Sequence, residues 1–287
     1  MLAAQLIIDG VLLGGTYVLV AQSLNLIFGV MGVVNLAHGS FIVLSGLFTA
    51  WFFGLYGVSP LLLVPLTFAV VFAAGVVLQP VLLEPLVKYG RRMELMSLMV
   101  TFGLNYVLVE IALQAFGSNY VTVPYLQGVW SWHGITVSQS LVAAGALGGL
   151  LALLLHLGLN RTTFGKSLLA ASQSEVGALS CGIDVRRMRL AAFAVGVGLA
   201  AAAGALLVLV LPMAAESADQ LTILAFVIIA LGGLGNYRGV AVAALLLGLA
   251  QSAMGFLVGG DAETVLPYLL LILFMAARPK RFARAVR

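Results

Sequence analysis

Residues 160–167 read NRTTFGKS and end in Gly165-Lys166-Ser167, as a nucleotide-binding P-loop does. A P-loop needs G-x-x-x-x-G-K-[ST] between a strand and a helix, because its glycines let backbone N–H groups wrap the phosphates. Here the first glycine position is Asn160, and the preceding LLALLLHLGL reads as the end of an apolar span. No apolar strand ending in Asp supplies a second nucleotide motif. The sequence argues against nucleotide binding by this chain.

Other reactive residues are sparse. His38 and Ser40 stand two apart, with no acid or oxyanion arrangement to complete a triad. His38, His133 and His156 are scattered and Cys181 is the only cysteine, so neither a metal site nor an intramolecular disulfide is expected. No catalytic residue is assigned.

Polar residues at breaks point to passage rather than to catalysis. Residues 29–40, GVMGVVNLAHGS, place Gly29, Gly32, Asn35, His38, Gly39 and Ser40 between two apolar stretches. Unwound backbone at membrane depth is tolerated where it is buried in protein or lines a wet cavity, and transporters use it to meet polar substrates. A tight turn capped by Asn35 is the alternative. The polar residues continue into the next span, which favours the break. The stretch GGLGNYRG, 232–239, has a similar pattern and is expected to face the first across the bundle. Its Arg238 either snorkels or faces a substrate carboxylate.

Glu110 lies inside the apolar stretch 95–117, where an ionisable group marks a pathway by default. Thr101 and Asn105 are i,i+4 and share a face, whereas Glu110 lies about 140° round from Asn105. It is a substrate contact, a partner of a neighbouring helix, or a group near the outer headgroups. With Thr16, the candidate path residues are Asn35, His38, Ser40, Thr101, Asn105 and Glu110.

The elements that must position these residues follow from composition. The chain has 287 residues, 62% hydrophobic and 8% charged, with a mean hydropathy of +1.15. A soluble domain carries about 25% charged residues, so the bilayer is the main solvent. Apolar stretches fall at 5–29, 39–56, 60–83, 95–117, 138–158, 188–211, 220–235, 240–258 and 264–277. The expectation is one all-α integral membrane domain over 1–287, a polytopic bundle of about eight or nine spans with broken or re-entrant Gly-rich elements. The first stretch reads as a retained span, not a cleaved signal.

The net charge of +4 does not indicate nucleic acid, because no arginine-rich patch with interleaved aromatics exists. Every Lys and Arg except Arg238 falls in one of three clusters. These are Lys88, Arg91 and Arg92; Arg161, Lys166, Arg186, Arg187 and Arg189; and Arg278, Lys280, Arg281, Arg284 and Arg287. By the positive-inside rule, loops 84–94 and 160–187 and the C-terminus are cytoplasmic. Nine crossings then put the N-terminus outside. Segments 118–137, 212–219 (Glu216, Asp219) and 259–263 (Asp261, Glu263) are read as exterior. Tyr120, Tyr125, Trp130 and Trp132 in the first of them suit headgroups or a docked binding protein. Gly10/Gly14, Gly145/Gly149 and Gly235/Gly239 have the spacing of helix-packing seams.

Loop 160–187 itself reads as one amphipathic helix. Phe164, Leu168, Ala171, Val176 and Leu179 alternate with Lys166, Ser172, Gln173, Ser174 and Glu175, and Gly182 stops the helix before Ile183. It either docks a partner or rests on headgroups.

The spacing R-T-x-x-G-x4-A-x7-A-x3-G-I, carried by Arg161, Thr162, Gly165, Ala170, Ala178, Gly182 and Ile183, resembles the cytoplasmic loop of ABC importer permeases of the branched-chain amino acid (LivH-type) group. Segments 14–46, 98–117 and 225–248 resemble that family's other blocks. Departures are Leu169, where the family has Arg, and Tyr237-Arg238, where it has an apolar pair. The resemblance implies a coupling loop in which Arg161, Thr162, Gly165, Lys166, Ala170, Glu175, Ala178, Gly182 and Ile183 engage an ATPase. It implies two ABC ATPase subunits carrying ATP and Mg, so that no cofactor is bound by this chain. It also implies an extracytoplasmic substrate-binding protein, a second related permease (a homodimer being the alternative) and a lipid setting in the bacterial inner membrane. The transported class would be branched-chain amino acids or related small polar metabolites. The rival is an ion-coupled secondary transporter, which needs paired intramembrane carboxylates; Glu110 is alone in mid-span.

Overall fold

Prolines and glycines cut the apolar sequence into helices. The computed structural model describes residues 2–132 and 134–277. His133 and the basic tail with Arg278, Lys280, Arg281, Arg284 and Arg287 lie outside the described residues, as do the side chains of Arg91, Trp132, Asp261 and Glu263. The helices are α1 (Leu2–Met31), α2 (His38–Tyr56), α3 (Pro60–Leu78), α4 (Met93–Phe116), α5 (Gln139–Arg161), α6 (Thr163–Gln173), α7 (Glu175–Ser180), α8 (Val185–Leu207), α9 (Ser217–Gly232), α10 (Tyr237–Leu257) and α11 (Gly260–Ala277). Each apolar stretch read from the sequence is one of these helices. Seven of them, among the described residues, are long and apolar enough to cross a membrane, while α9 has only 16 residues.

The chain is all-α and polytopic, with one small addition. Strands β1 (Val129–Trp132) and β2 (Ile135–Ser138) form an antiparallel hairpin that pairs Val129 with Ser138. Thr136 N–H donates to Gln5 Oε1 at 2.8 Å, which ties the hairpin to α1. After α3 the helix loosens into a π turn over Gln79–Leu83 and tightens into a 3-10 segment over Glu84–Arg92. Pro80 and Pro85 each lack the N–H that would continue the α-helical ladder.

Helix α8 is the core. Of its most apolar 18-residue window 83% is buried, against 22% for α3, α4 and α5. Its run of alanines and glycines lets α1, α2 and α3 pack around it. In lipid, close backbone approach of this kind is a principal source of helix association. Helix α1 is a second axis, packed on α5, α8 and α10.

The small-residue seams are only partly those the spacing suggests. Gly10 and Gly14 do form one, with Gly248 of α10 between them: a Cβ on Gly248 would lie 2.5 Å from both Gly10 O and Gly14 N. In the second pair only Gly145 is pressed against a neighbour, with Leu12 O 2.4 Å from an added Cβ, and Gly149 faces open space. The third pair is no helix seam, because Gly235 turns the chain at φ +76° and Gly239 closes on Gly232 O. Gly248→Leu is therefore expected to destabilise the protein by about 1–3 kcal/mol or more through overpacking. Gly149→Leu is expected to be near neutral; thermal unfolding of the two variants in detergent checks the contrast.

Candidate functional site

The break between α1 and α2 turns back into the bundle. His38 Nε2 lies 3.1 Å from Ser23 Oγ and 3.2 Å from Val20 O. Those α1 residues stand about 12–16 Å of helix before its end at Met31, at about 1.5 Å per residue. Residues 32–37 thus run back alongside α1, and α2 begins inside the membrane. Freed backbone groups must find partners there. The Thr101 hydroxyl lies 3.1 Å from both Leu36 N and Val34 O. Ala37 N–H donates to Asn35 Oδ1 at 3.1 Å, and Gly39 N–H donates to Thr222 Oγ1 at 2.8 Å. Helix α9 starts beside α2: a Cβ on Gly39 would lie 1.9 Å from Ala218 O, so only glycine fits.

A second chain of hydrogen bonds crosses the same point. Ser40 Oγ donates to Asn105 Oδ1, and Asn105 Nδ2 donates to Asp219 Oδ1 at 2.9 Å. Asn35, His38, Ser40, Thr101 and Asn105 are buried, while Asp219 is exposed. On the side of the hairpin, a cavity of about 490 Å³ lies between α1, α9, α10 and α11, with Tyr17, Ser217, Gln220 and Tyr268 in its wall.

The structure therefore gathers five of the seven candidate path residues. Thr16 is buried near the α1–α5 seam, its hydroxyl donating to Leu13 O at 2.7 Å. Glu110 is exposed on the far side of α4 and accepts from Gln114 Nε2 at 3.0 Å. Asp219 and Thr222 carry no site signal in the sequence, where 212–219 reads as an exterior segment. Asp219 stands instead in the first turn of α9. The one local signal is their i,i+3 spacing, which sets Asp219 and Thr222 one turn apart on one face once α9 starts at Ser217. The stretch 232–239 does not face 29–40 across a gap. It packs directly on α1, where Gly235 N–H donates to Asn25 Oδ1 at 2.8 Å and Gln22 Nε2 to Tyr237 O at 3.3 Å. Arg238 is exposed.

Loop 160–187 is two helices, not one. Arg161 ends α5, and Thr162 caps α6 by accepting from Gly165 N–H at 2.9 Å. Gly165 seats α6 against α5, where an added Cβ would lie 2.2 Å from Gly158 O. Ser174 is extended (φ −159°, ψ 115°), breaks the helix and caps α7 through Gly177 N–H at 3.1 Å. This break resets the helical phase, and beyond it Val176 and Leu179 turn outward. Leu168, Ala171 and Ala178 are buried, whereas Phe164, Val176 and Leu179 are 50%, 75% and 56% exposed. Lys166 is exposed and Ala170 half-buried. Gly182, at φ +76°, lets Ile183 N–H return to Ala178 O at 3.0 Å and closes α7.

Charged groups hold this foot to the bundle. Arg189, 9% exposed at the start of α8, places Nη1 3.0 Å from Glu175 Oε1 of α7 and Nη2 3.4 Å from Glu84 Oε1 after α3. Gln79 Nε2 donates to Glu84 Oε2 at 2.9 Å, and Arg186 Nε lies 3.6 Å from Glu84 Oε1. Glu84 was not read as a site residue and Arg189 only as a charge marker. Their separation of about a hundred residues leaves no local pattern to see.

A polytopic bundle with a hydrogen-bonded polar break at mid-depth and a capped two-helix foot at one end has the parts of a membrane transport subunit. The chain belongs to the family described as the permease component of the branched-chain amino acid transport system, whose profile matches residues 6–275. It is 26% identical over 290 residues to the high-affinity branched-chain amino acid transport system permease protein BraD of Pseudomonas aeruginosa, covering 96% of this chain and 94% of that one. It is 25% identical over 266 residues to a probable branched-chain amino acid transport permease protein LivH of Methanocaldococcus jannaschii (89% and 82% covered). To the LivH protein of Escherichia coli it is 26% identical over 302 residues (96% and 93% covered). No solved structure matches the chain significantly.

Arg189→Ala removes the ion pairs to Glu84 and Glu175 and leaves Glu84, whose side chain is 15% exposed, with Gln79 and the more distant Arg186. The loss is expected to cost about 1.5–3 kcal/mol, the range for hydrogen bonds to charged groups. Faster hydrogen exchange across residues 163–180, with no change in α10, checks it.

Proposed function

We propose that the chain is one permease subunit of an ATP-driven ABC importer of branched-chain amino acids or related small polar metabolites in the bacterial inner membrane. The observation that carries this is the family match over nearly the whole chain, joined to a foot that exposes three large apolar side chains. Phe164, Val176 and Leu179 stand out from α6 and α7 with Lys166 nearby. Such residues are suited to a hydrophobic groove on a partner. In this reading the foot and the loop 84–92 face the cytoplasm, where the basic residues collect. Two ATPase subunits bind ATP and Mg and press on the foot. A binding protein delivers solute at the hairpin side, and a second, related permease covers the exposed face of α4 and α9.

This chain's residues then have distinct tasks. Arg161, Thr162, Gly165 and Gly182 shape the foot, and Lys166, Glu175 and the exposed apolar residues meet the ATPase or brace against it. Ala170, Ala178 and Ile183 pack the foot on its own bundle. The cavity beside Tyr17 and Gln220 receives solute, and the crossing of α2, α4 and α9 forms the path. Alternating access follows when the ATPases close and the motion passes through Glu175, Arg189 and Glu84 to α8 and α3. No covalent chemistry is assigned to the chain.

Val176→Glu combined with Phe164→Asp is expected to lower ATP-dependent uptake in reconstituted vesicles at least tenfold and to release the ATPase chains during purification. Full uptake without ATP and without ATPase chains would favour an ion-coupled secondary transporter.

A further inference from the structure

The crossing contains a carboxylate that the fold leaves without a counter-charge. Asn105 stands at the midpoint of α4, about 17 Å of helix from either end at about 1.5 Å per residue. Helix α4 is long and apolar enough to cross. Asp219 accepts from Asn105 Nδ2 at 2.9 Å, so this carboxylate is also near mid-depth. It is exposed at the surface of the chain. The ion pairs among the described residues use Glu84, Glu175 and Asp184, and none reaches Asp219. A carboxylate at that depth is costly against hydrocarbon and is kept where it faces a path or a partner.

We propose that Asp219 receives the cationic group of the transported solute, an ammonium in the amino-acid class. This rests on the permease reading above and narrows it. The geometry suits the task. Ser40 donates to Asn105 and Asn105 donates to Asp219 Oδ1, which fixes one carboxylate oxygen through two helices while the residue stays exposed. In a low-dielectric setting a fixed carboxylate attracts an ammonium and repels a carboxylate-only solute, because charge interactions strengthen as the dielectric falls. The solute's ammonium supplies the missing counter-charge for part of each cycle.

The test uses the complete complex, with both permeases, the ATPases and binding protein, reconstituted in liposomes. The probe is L-leucine presented at saturating binding protein, so that selection upstream is equal for every variant. Asp219→Asn keeps an acceptor for Asn105 and is nearly isosteric. It is expected to lower the leucine imported per ATP hydrolysed at least tenfold, and Asp219→Glu to restore at least a third of the wild-type ratio. An Asp219→Asn complex with the wild-type ratio overturns the inference. So does loss of the partner permease during purification with an unchanged ratio in the complexes that remain, which would make Asp219 an interface contact. A wild-type complex that imports no leucine overturns the permease reading itself and this inference with it.

Discussion

In hydrocarbon a backbone N–H or C=O that leaves a helix must find a partner inside the protein, because no water is there to take its place. This chain leaves helix twice on its way to the same place, over residues 32–37 and 208–216. At the first break, Thr101, Thr222 and Asn35 take up the freed groups. At the second, the main chain pairs with an incoming loop: Val121 and Met213 exchange both hydrogen bonds, and Val123 N–H donates to Val208 O at 3.1 Å. Satisfying these groups brings α2, α4 and α9 to one crossing. The polar side chains found there serve the backbone first, and Asp219 stands where their network ends at the surface.

Helix α8 connects this crossing with the foot. Its first turns hold Arg189, which touches both α7 and the segment after α3. Its later turns pack on α2 and α3. A close-packed helix of small residues has little freedom to yield locally, since interiors of this kind transmit strain instead of absorbing it. Helix α8 thus touches both the foot and the helix that carries Gly39 and Ser40.

Much of the fold was legible in the sequence. Hydropathy over a window is additive and local, so each apolar stretch from 5–29 to 264–277 is found as a helix. The break within 29–40 was legible because glycine and polar residues are conspicuous in an apolar chain. The stop at Gly182 was legible because it depends on residue type within one turn. Less could be seen where a single residue redirected a helix: Ser174 splits the foot by its extended backbone, and the apolar residues beyond it fall on a different face from the one that continuous periodicity assigns.

By itself the sequence determined that the chain is a lipid-solvated helical bundle, where it bends and which family it resembles. Only the tertiary structure decided which polar residues share a site. It set Asp219 against Asn105 and Ser40, drew Glu84, Glu175 and Arg189 together, and separated Thr16 and Glu110 from the crossing. The reason is physical. Hydropathy, capping and turn chemistry act between residues a few positions apart, whereas a hydrogen bond between helices depends on how their axes cross and rotate, which small residues far away in the chain set.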